Sequence, residues 1–596
     1  LKHGAASPAW RPDSRALLVT SSIPASELEG EPSYPHERPG RDWRDYDHRL
    51  PGDDSKDPAP ASPDGDLRAV RNWLEKNAAD ADPVVLTRLA FQEELALRKE
   101  DRFSHIFSLD LEGDAEPVQL TRGFHNHTDP QWDPRSRFIV FVTDSVADVH
   151  PDRVRRTAIF RVRPDGTGVE SWLNDSGLIL TSPRFNGNGT GITCVATEFE
   201  DRIYKQSYLL FVLVDRPGWF NTVEGWDSHA SNPRWFDLET LLFTTPHHGA
   251  DHIMRTDAGV RDDELERITA GPVSTLAYDT KAGVIVAALA TPQNPCELFL
   301  LPDGAPPRRL TDLHHSWLES KELAAFEEHW IDRPDGERVQ YWTVKPPAAA
   351  GAAPHPVILA IHGGPMAMWG PSEPTMWHEW QLQAAWGYAI VFANPRGSSG
   401  YGYDFQRGNH QNWGPGPTGD VLASLDDAIQ NNNWIDADRQ FITGGSYAGY
   451  LTAWIIAHTD RFRAAVAQRG VYDLITFFGE GNAWRLAPEA FGGFPWEPAV
   501  RRILSAESPF TYVDQITTPF LIMHGSNDLR TGVTQSEMMY RALKELERPV
   551  EYVRYPGAGH DLSRTGKPAQ RLDRLMRIIE FFERYDRPAT GSSAAN

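Results

Sequence analysis

The first half of the chain repeats one pattern of polar and apolar positions. An aromatic residue is followed by a polar turn and then by a β-branched, apolar run. "SPAWRPDSRALLVTS" begins at Ser7, "DPQWDPRSRFIVFVT" at Asp129, "SPRFNGNGTGITCVAT" at Ser182 and "NPRWFDLETLLFTTP" at Asn232. "TLAYDTKAGVIVAALA" at Thr275 is a weaker copy. A second apolar run follows in several copies, as in "HIFSLDLEG", "AIFRVRPDG", "LLFVLVDRP" and "ELFLLPDG". From Pro130 through Pro183 and Pro233 to Leu276 the spacings are 53, 50 and 43 residues. Two strand pairs per repeat of that length predict the four-stranded blades of a β-propeller. Five units are visible, and the long interval from Pro8 to Pro130 has room for one or two more, so a seven-bladed propeller is expected over residues 1–322. An array of β-sandwiches is the competing architecture, but it should lack the recurring aromatic-turn-strand order. Part of the long interval, "HERPGRDWRDYDHRLPGDDSKDPAPASPDGD", is rich in Asp, Pro and Arg and reads as an exposed insertion.

After "HHSWLESKELAAFEEHW", which reads as a linker with a short helix, the pattern changes. "HWIDRPDGERVQYWTVKPP" predicts a hairpin turning at Asp335-Gly336. Buried strands then alternate with helices: "PVILAIHGG", "YAIVFAN", "VLASLDDAIQ", "QFITGG", "PFLIMHGSND" and "VEYVRYPGAGH" lead to the amphipathic "PAQRLDRLMRIIEFFERY". Such alternation predicts a mostly parallel sheet covered on both faces, an α/β-hydrolase-like domain over residues 323–596. The tail "RPATGSSAAN" is expected to be disordered.

Composition narrows the partners. The chain has 596 residues, 82 acidic against 59 Lys and Arg side chains, and a formal net charge of −23. That balance argues against a nucleic-acid partner, whose phosphates call for a basic surface. The two cysteines, Cys194 and Cys296, lie far apart and form neither a disulfide framework nor a zinc motif. No run reaches the roughly 18 apolar residues of a membrane helix. A reducing, cytoplasmic location without membrane contact is therefore expected, with no metal or cofactor; a homo-oligomer is left open. No signal peptide is visible, but the chain opens "LKHGAASPAW" without an initiator Met, which leaves open what precedes it.

Four signals in the second half carry candidate chemistry. In "TGGSYAGYLT", Ser446 follows a predicted strand and precedes a predicted helix. Gly444 and Gly445 allow a sharp turn that would lift the hydroxyl above the sheet edge, although Ala448 stands where a strict nucleophile-elbow motif asks for glycine. Asp528 lies at the end of "LIMHGSND", 82 residues later, where it could orient a histidine or simply serve a turn. His560, in "YPGAGHDLSR", follows 32 residues after Asp528, and an imidazole can take and return the serine proton. "IHGGP" places Gly364 after another strand; its N–H and that of Tyr447 are the candidate oxyanion donors, since Pro365 has none to give. The order Ser, Asp, His is that of α/β-hydrolases.

These stretches, with "NPRGSSGYG", "HGSNDLR" and "YPGAGHDLSRTGKP", resemble the prolyl oligopeptidase family of serine peptidases, in particular its acylaminoacyl-peptidase-like branch. The resemblance is strong over the second half and architectural over the first. It implies a propeller capping the hydrolase domain, with the active site in the cavity between them. It also implies the triad Ser446, Asp528 and His560, and short peptides as substrates. Arg530 is implied to hold a substrate carbonyl; a salt bridge to a nearby carboxylate is the alternative. Val471, Phe477, Phe478 and Trp484 are candidates for the specificity pocket, with plain core packing as the alternative for each. Ala448, Met366 and Thr531-Gly532 depart from the usual family residues and leave the subgroup open. Release of N-acylated residues is the expected specificity. A carboxypeptidase-type enzyme with Arg485, Arg530 or another arginine on the terminal carboxylate, a dipeptidyl-peptidase, a small-ester hydrolase and an inactive binding protein are the rivals.

Overall fold

The computed structural model describes residues 1–30, 60–79, 84, 86, 88–98, 100–112, 116–144, 151–216, 218–258 and 265–586. Most of the Asp- and Pro-rich insertion and the whole tail 587–596 lie outside them. Two compact units divide the chain, Leu1–Gly189 and Thr190–Asn596.

The first unit contains two antiparallel four-stranded meanders. One is built from Ala6–Trp10, Ala16–Pro24, Arg102–Asp110 and Val118–Gln119, the other from His127–Trp132, Ile139–Thr143, Ala158–Val162 and Glu170–Leu173. The second unit opens with Gly191–Glu198, Tyr208–Leu213 and Trp219–Asn221, and then carries two complete meanders. These comprise Ser231–Trp235, Thr240–His247, Ala250–Asp257 and Glu266–Arg267, then Ser274–Lys281, Val284–Thr291, Asn294–Leu301 and Arg308–Arg309.

The sequence repeat has a local structural cause. Ser7, Asp129, Ser182 and Asn232 all take positive φ, between 46° and 52°, and each precedes a proline. Strand register slips beside three of them, between Ala6 and Ala9, Thr128 and Gln131, and Ser231 and Arg234. Those three opening strands are thus bulged at the same step, where a short polar residue tolerates the left-handed region.

The interval from Pro8 to Pro130 departs from expectation. Ala16–Pro24 pairs directly with Arg102–Asp110, so the intervening chain is an insertion within one meander. Among its described residues it supplies the helix Leu67–Ala79, with Gln92 and Leu97 in an isolated bridge, and no further meander.

The last part of the second unit is an eight-stranded sheet. Its strands are β1 (Ala325–Asp332), β2 (Arg338–Lys345), β3 (His355–Ile361), β4 (Ala389–Asn394), β5 (Ile435–Gly445), β6 (Ala464–Gln468), β7 (Phe520–Gly525) and β8 (Val550–Tyr555). The order is β1-β2-β4-β3-β5-β6-β7-β8, antiparallel across β1-β2-β4 and parallel beyond. "AAFEEHW", read from sequence as part of a linker, is the start of β1, and the short helix is confined to His315–Leu318.

Five longer helices cover the sheet: α1 (Pro374–Ala385), α2 (Pro415–Asn431), α3 (Tyr447–Ile456), α4 (Val533–Glu545) and α5 (Pro568–Asp586). Alternation along β3 feeds two cores. Val357, Leu359 and Ile361 join α2, α3 and α4 on one face, while Ile358 and Ala360 join α1 and α5 on the other. A strand buried on both faces has no polar side, which is why its sequence reads as a continuous apolar run.

Candidate active site

The carboxyl ends of β3, β5, β7 and β8 supply the four signals found in the sequence, as expected for an open α/β sheet. Ser446 sits between β5 and α3 with φ 61° and ψ −123°, a conformation costly for a residue with a side chain. Its N–H donates to the Gln468 carbonyl at 2.9 Å, and its own carbonyl receives the Tyr450 N–H at 3.0 Å. The turn is therefore fixed from β6 and from the helix it opens.

The Ser446 hydroxyl lies 3.0 Å from Nε2 of His560, and Nδ1 of that ring lies 2.8 Å from Oδ2 of Asp528. With Nδ1 protonated toward the carboxylate, Nε2 is left as the acceptor for the serine proton. Asp528 is buried, and Oδ1 accepts the backbone N–H groups of Arg530 and Thr531, each at 2.9 Å. Burial pushes its carboxyl up, but bonds from His524 and His560 outweigh that and hold it well below the usual range.

His524 is a second imidazole on this acid, 3.2 Å from Oδ2, with its Nε2–H also reaching the Thr531 carbonyl at 2.8 Å. Sequence reasoning passed over it, although it stands four residues before Asp528 in "HGSND". Burial lowers the pKa of His560; contact with Asp528 opposes this, and the charges of Arg469 and Arg530 reinforce it.

Gly363 is packed onto the serine turn: a Cβ there would meet the Gly445 carbonyl oxygen at 3.0 Å and Ser446 Cβ at 3.6 Å. Gly364 follows at φ 128°, a backbone that L side chains rarely adopt. The buried ring of His362 anchors this loop, donating from Nδ1 to the Gly363 carbonyl at 2.7 Å, with Nε2 2.9 Å from Ser398 Oγ. Burial lowers its pKa to about 4, so it stays neutral. Tyr447 is buried and its hydroxyl donates to the Trp413 carbonyl, which leaves the first residue of α3 firmly held.

The remaining predicted residues divide. Arg530 is exposed at the rim of the acid loop. Phe478 and Trp484 are half-buried and meet edge to face, with centroids 5.4 Å apart. Val471 and Phe477 are buried in the main core instead. Two aromatics not singled out by sequence complete the half-open group: Phe494 lies 6.1 Å and Trp496 5.6 Å from Phe478, ring centre to ring centre. Arg469 is a further unpredicted neighbour. Its guanidinium lies against Gly445, 3.3 Å from where a Cβ would stand, and donates to Ser563 Oγ at 3.1 Å.

Residues 374–587 match the family model described as the prolyl oligopeptidase family. That match covers about a third of the chain, and over it the chain is similar to the prolyl oligopeptidase family. It is 36% identical to "Uncharacterized peptidase YuxL" of Bacillus subtilis over 50% of this chain and 45% of that protein. It is 32% identical to "Dipeptidyl-peptidase 5" of Schizosaccharomyces pombe over 36% of this chain and 31% of that protein. The matches thus span about half the length or less of these two relatives. Among solved structures, the acylaminoacyl peptidase of Pyrococcus horikoshii superposes with a TM-score of 0.75 at 21% identity. That superposition covers 98% of this chain and 83% of the other. An acylaminoacyl peptidase in complex with Z-Gly-Gly-Phe-chloromethyl ketone gives 0.76 at 20% identity, over 99% and 83%. The fold of this chain is therefore that of the acylaminoacyl peptidases. Among the described residues no helix is long and apolar enough to cross a membrane.

Proposed function

We propose that this chain is a serine peptidase that hydrolyses short peptides through an acyl-enzyme. The observation that carries the reading is the relay from Ser446 Oγ through His560 to Asp528, at 3.0 and 2.8 Å, on a serine held at positive φ beside the HGG loop. In this reading His560 takes the serine proton as the hydroxyl attacks the carbonyl. Asp528 holds the imidazole tautomer and stabilises the imidazolium, and the N–H groups of Gly364 and Tyr447 receive the oxyanion. His560 then protonates the leaving amine, and water resolves the acyl-enzyme by the same relay. Arg530 holds a substrate carbonyl, and Phe478 and Trp484 border the specificity pocket.

Residues 1–322 are read as the propeller domain and 323–596 as the hydrolase domain. A count of seven blades needs two units beyond the four complete meanders and the partial one opening at Gly191 among the described residues. A cytoplasmic location fits the absence of a disulfide framework.

Release of N-acylated residues is the preferred specificity. A dipeptidyl-peptidase is the second reading, favoured by the name of the relative from Schizosaccharomyces pombe. Fluorophosphonate labelling of the wild-type chain, lost in Ser446→Ala, tests the nucleophile. Turnover of an N-acetyl amino-acid anilide, a free-amine dipeptide anilide and a peptide with a free or amidated C-terminus then separates the specificities. Cleavage of the free-amine dipeptide anilide alone overturns the acylaminoacyl reading.

A further inference from the structure

The stretch "TTPHHGADH" closes a hairpin between Thr240–His247 and Ala250–Asp257, with His247 paired to Ala250. His248 and Gly249 form its two-residue turn at φ 48° and 82°. Two positive φ values in a two-residue loop match the twist of the flanking strands and make a stiff, narrow tip. Ser228 fixes its base by donating to the Pro246 carbonyl at 2.6 Å, and the His247 ring packs 5.6 Å from Trp226.

This tip is inserted into the hydrolase sheet's loops. The Gly249 N–H points at Met368 Sδ, 3.1 Å away, and the His248 N–H donates to the Gly400 carbonyl at 3.3 Å. The His248 ring lies between Trp330 and Tyr401, with centroids 5.0 and 5.4 Å away. Backbone meets backbone here. A Cβ on Gly370 would run into the Gly249 carbonyl, and one on Gly249 would run into the ring of Trp342. A Cβ on Gly400 would approach Met368 Sδ at 2.6 Å. Gly370 does not occupy the left-handed region, so a small residue there serves the approach of the hairpin alone.

Met368 and Gly370 belong to the loop that begins at His362 and carries Gly364. The far side of that loop is tied down as well. The Trp369 N–H donates to Asn394 Oδ1 at 2.9 Å, Asn394 returns a bond to the Trp369 carbonyl at 2.7 Å, and the Ser399 N–H donates to the Ala367 carbonyl at 3.2 Å. The loop is clamped between the end of β4 and the hairpin.

We propose that the His248-Gly249 hairpin is a positioning element for the oxyanion loop: by filling the slot at Met368, Gly370 and Gly400 it sets where Gly364 stands relative to Ser446. The proposal rests on the reading of Ser446 and Gly364 given above. Its consequence is that a hairpin of the repeat-bearing half contributes to the chemical step. A donor displaced by a fraction of an ångström loses most of its transition-state benefit while substrate binding is spared.

The full-length chain tests this through Gly370→Ala and His248→Asn, with Gly304→Ala as the control. Asn tolerates the left-handed region, so His248→Asn removes the ring without straining the turn. Gly304 also has positive φ, 67°, with open space where a Cβ would stand. Each variant is first shown to be folded by its thermal melt. Both slot variants are expected to lose about tenfold or more in kcat with KM within about twofold. They should also bind a peptide trifluoromethyl ketone, which forms an oxyanion on the serine, about tenfold more weakly, with affinity for the product peptide unchanged. Gly304→Ala should match wild type. Unchanged kcat and ketone affinity in folded His248→Asn overturn the proposal, as does an equal loss of affinity for ketone and product. His248→Asn decides the matter if Gly370→Ala does not fold. Failure of the underlying reading has a different signature: wild type that takes no fluorophosphonate label, or label that persists in Ser446→Ala.

Discussion

Ser446 and His560 are 114 residues apart in sequence and 3.0 Å apart in space, and the chemistry proposed for them makes sharp demands on single atoms. Asp528→Asn would keep the shape of the acid loop while presenting an amide to Nδ1, favouring the wrong imidazole tautomer. A loss of about 10⁴-fold in kcat is expected from steady-state assays, with a thermal melt near that of wild type. The acid limb of the pH profile follows from the surroundings of His560. It faces the Asp528 carboxylate and the Ser446 hydroxyl, with the positive charges of Arg469 and Arg530 nearby. On the proposed mechanism a protonated imidazole cannot act as base, so the burial-lowered pKa of His560 should extend activity to lower pH. Arg469→Met removes a charge that opposes the imidazolium. The acid limb of kcat/KM should move to higher pH, while Arg469→Lys leaves it nearer wild type; a limb that moves down in Arg469→Met refutes the assignment. The serine, acid and histidine were legible because each sits in a local motif at a strand end. Arg469 and His524 were not, since a lone arginine after an apolar strand and a histidine inside "IMHGS" carry no mark of what they will touch.

At the scale of the element, the mismatch at Ala448 is resolved by where the chain crowds. Ala448 is fully buried and packs on Gly444, whose missing side chain makes the room. The close approach of α3 to the chain leaving β6 falls one residue later. A Cβ on Gly449 would stand 2.8 Å from Gly470 Cα and 3.0 Å from the Gln468 carbonyl. Gly449→Ala should therefore cost about 1–3 kcal/mol in a denaturant titration, because neither neighbour is the end of a flexible side chain. Ala448→Gly should lose up to about 1 kcal/mol in helix propensity and leave kcat almost unchanged. The parallel strands were readable as apolar runs, and the repeats as aromatic-turn-strand units. Their boundaries were less so: β1 carries Glu327, Glu328 and His329 in succession on an edge, and "AAFEEHW" has the composition of a surface helix.

Across the whole molecule, the insertion at residues 25–101 shows what periodicity misses. A strand pairing that skips such a segment has no sequence signal, so the interval looked like space for further blades. The hairpin at His248-Gly249 was equally silent, for a two-residue turn reads the same whether its tip meets solvent or the heart of another layer. The buried pair of Arg574 on α5 and Glu379 on α1, 2.6 Å apart, joins the last helix to the first one covering the sheet. Arg574 also donates to Gln468, whose carbonyl holds the Ser446 N–H. Glu379→Gln would leave a guanidinium buried without its counter-charge and should lower stability by about 3–5 kcal/mol, measurable by urea unfolding.

The position of His560 gives this architecture an order in time. Synthesis delivers the HGG loop first, then the serine turn, then the acid, and the imidazole only after β8. A nascent or prematurely terminated chain ending before that strand's final loop holds a serine with no partner to take its proton. On the proposed mechanism, translation supplies the proton acceptor only with the last fold of the sheet, and a chain truncated ahead of His560 would carry an unactivated serine.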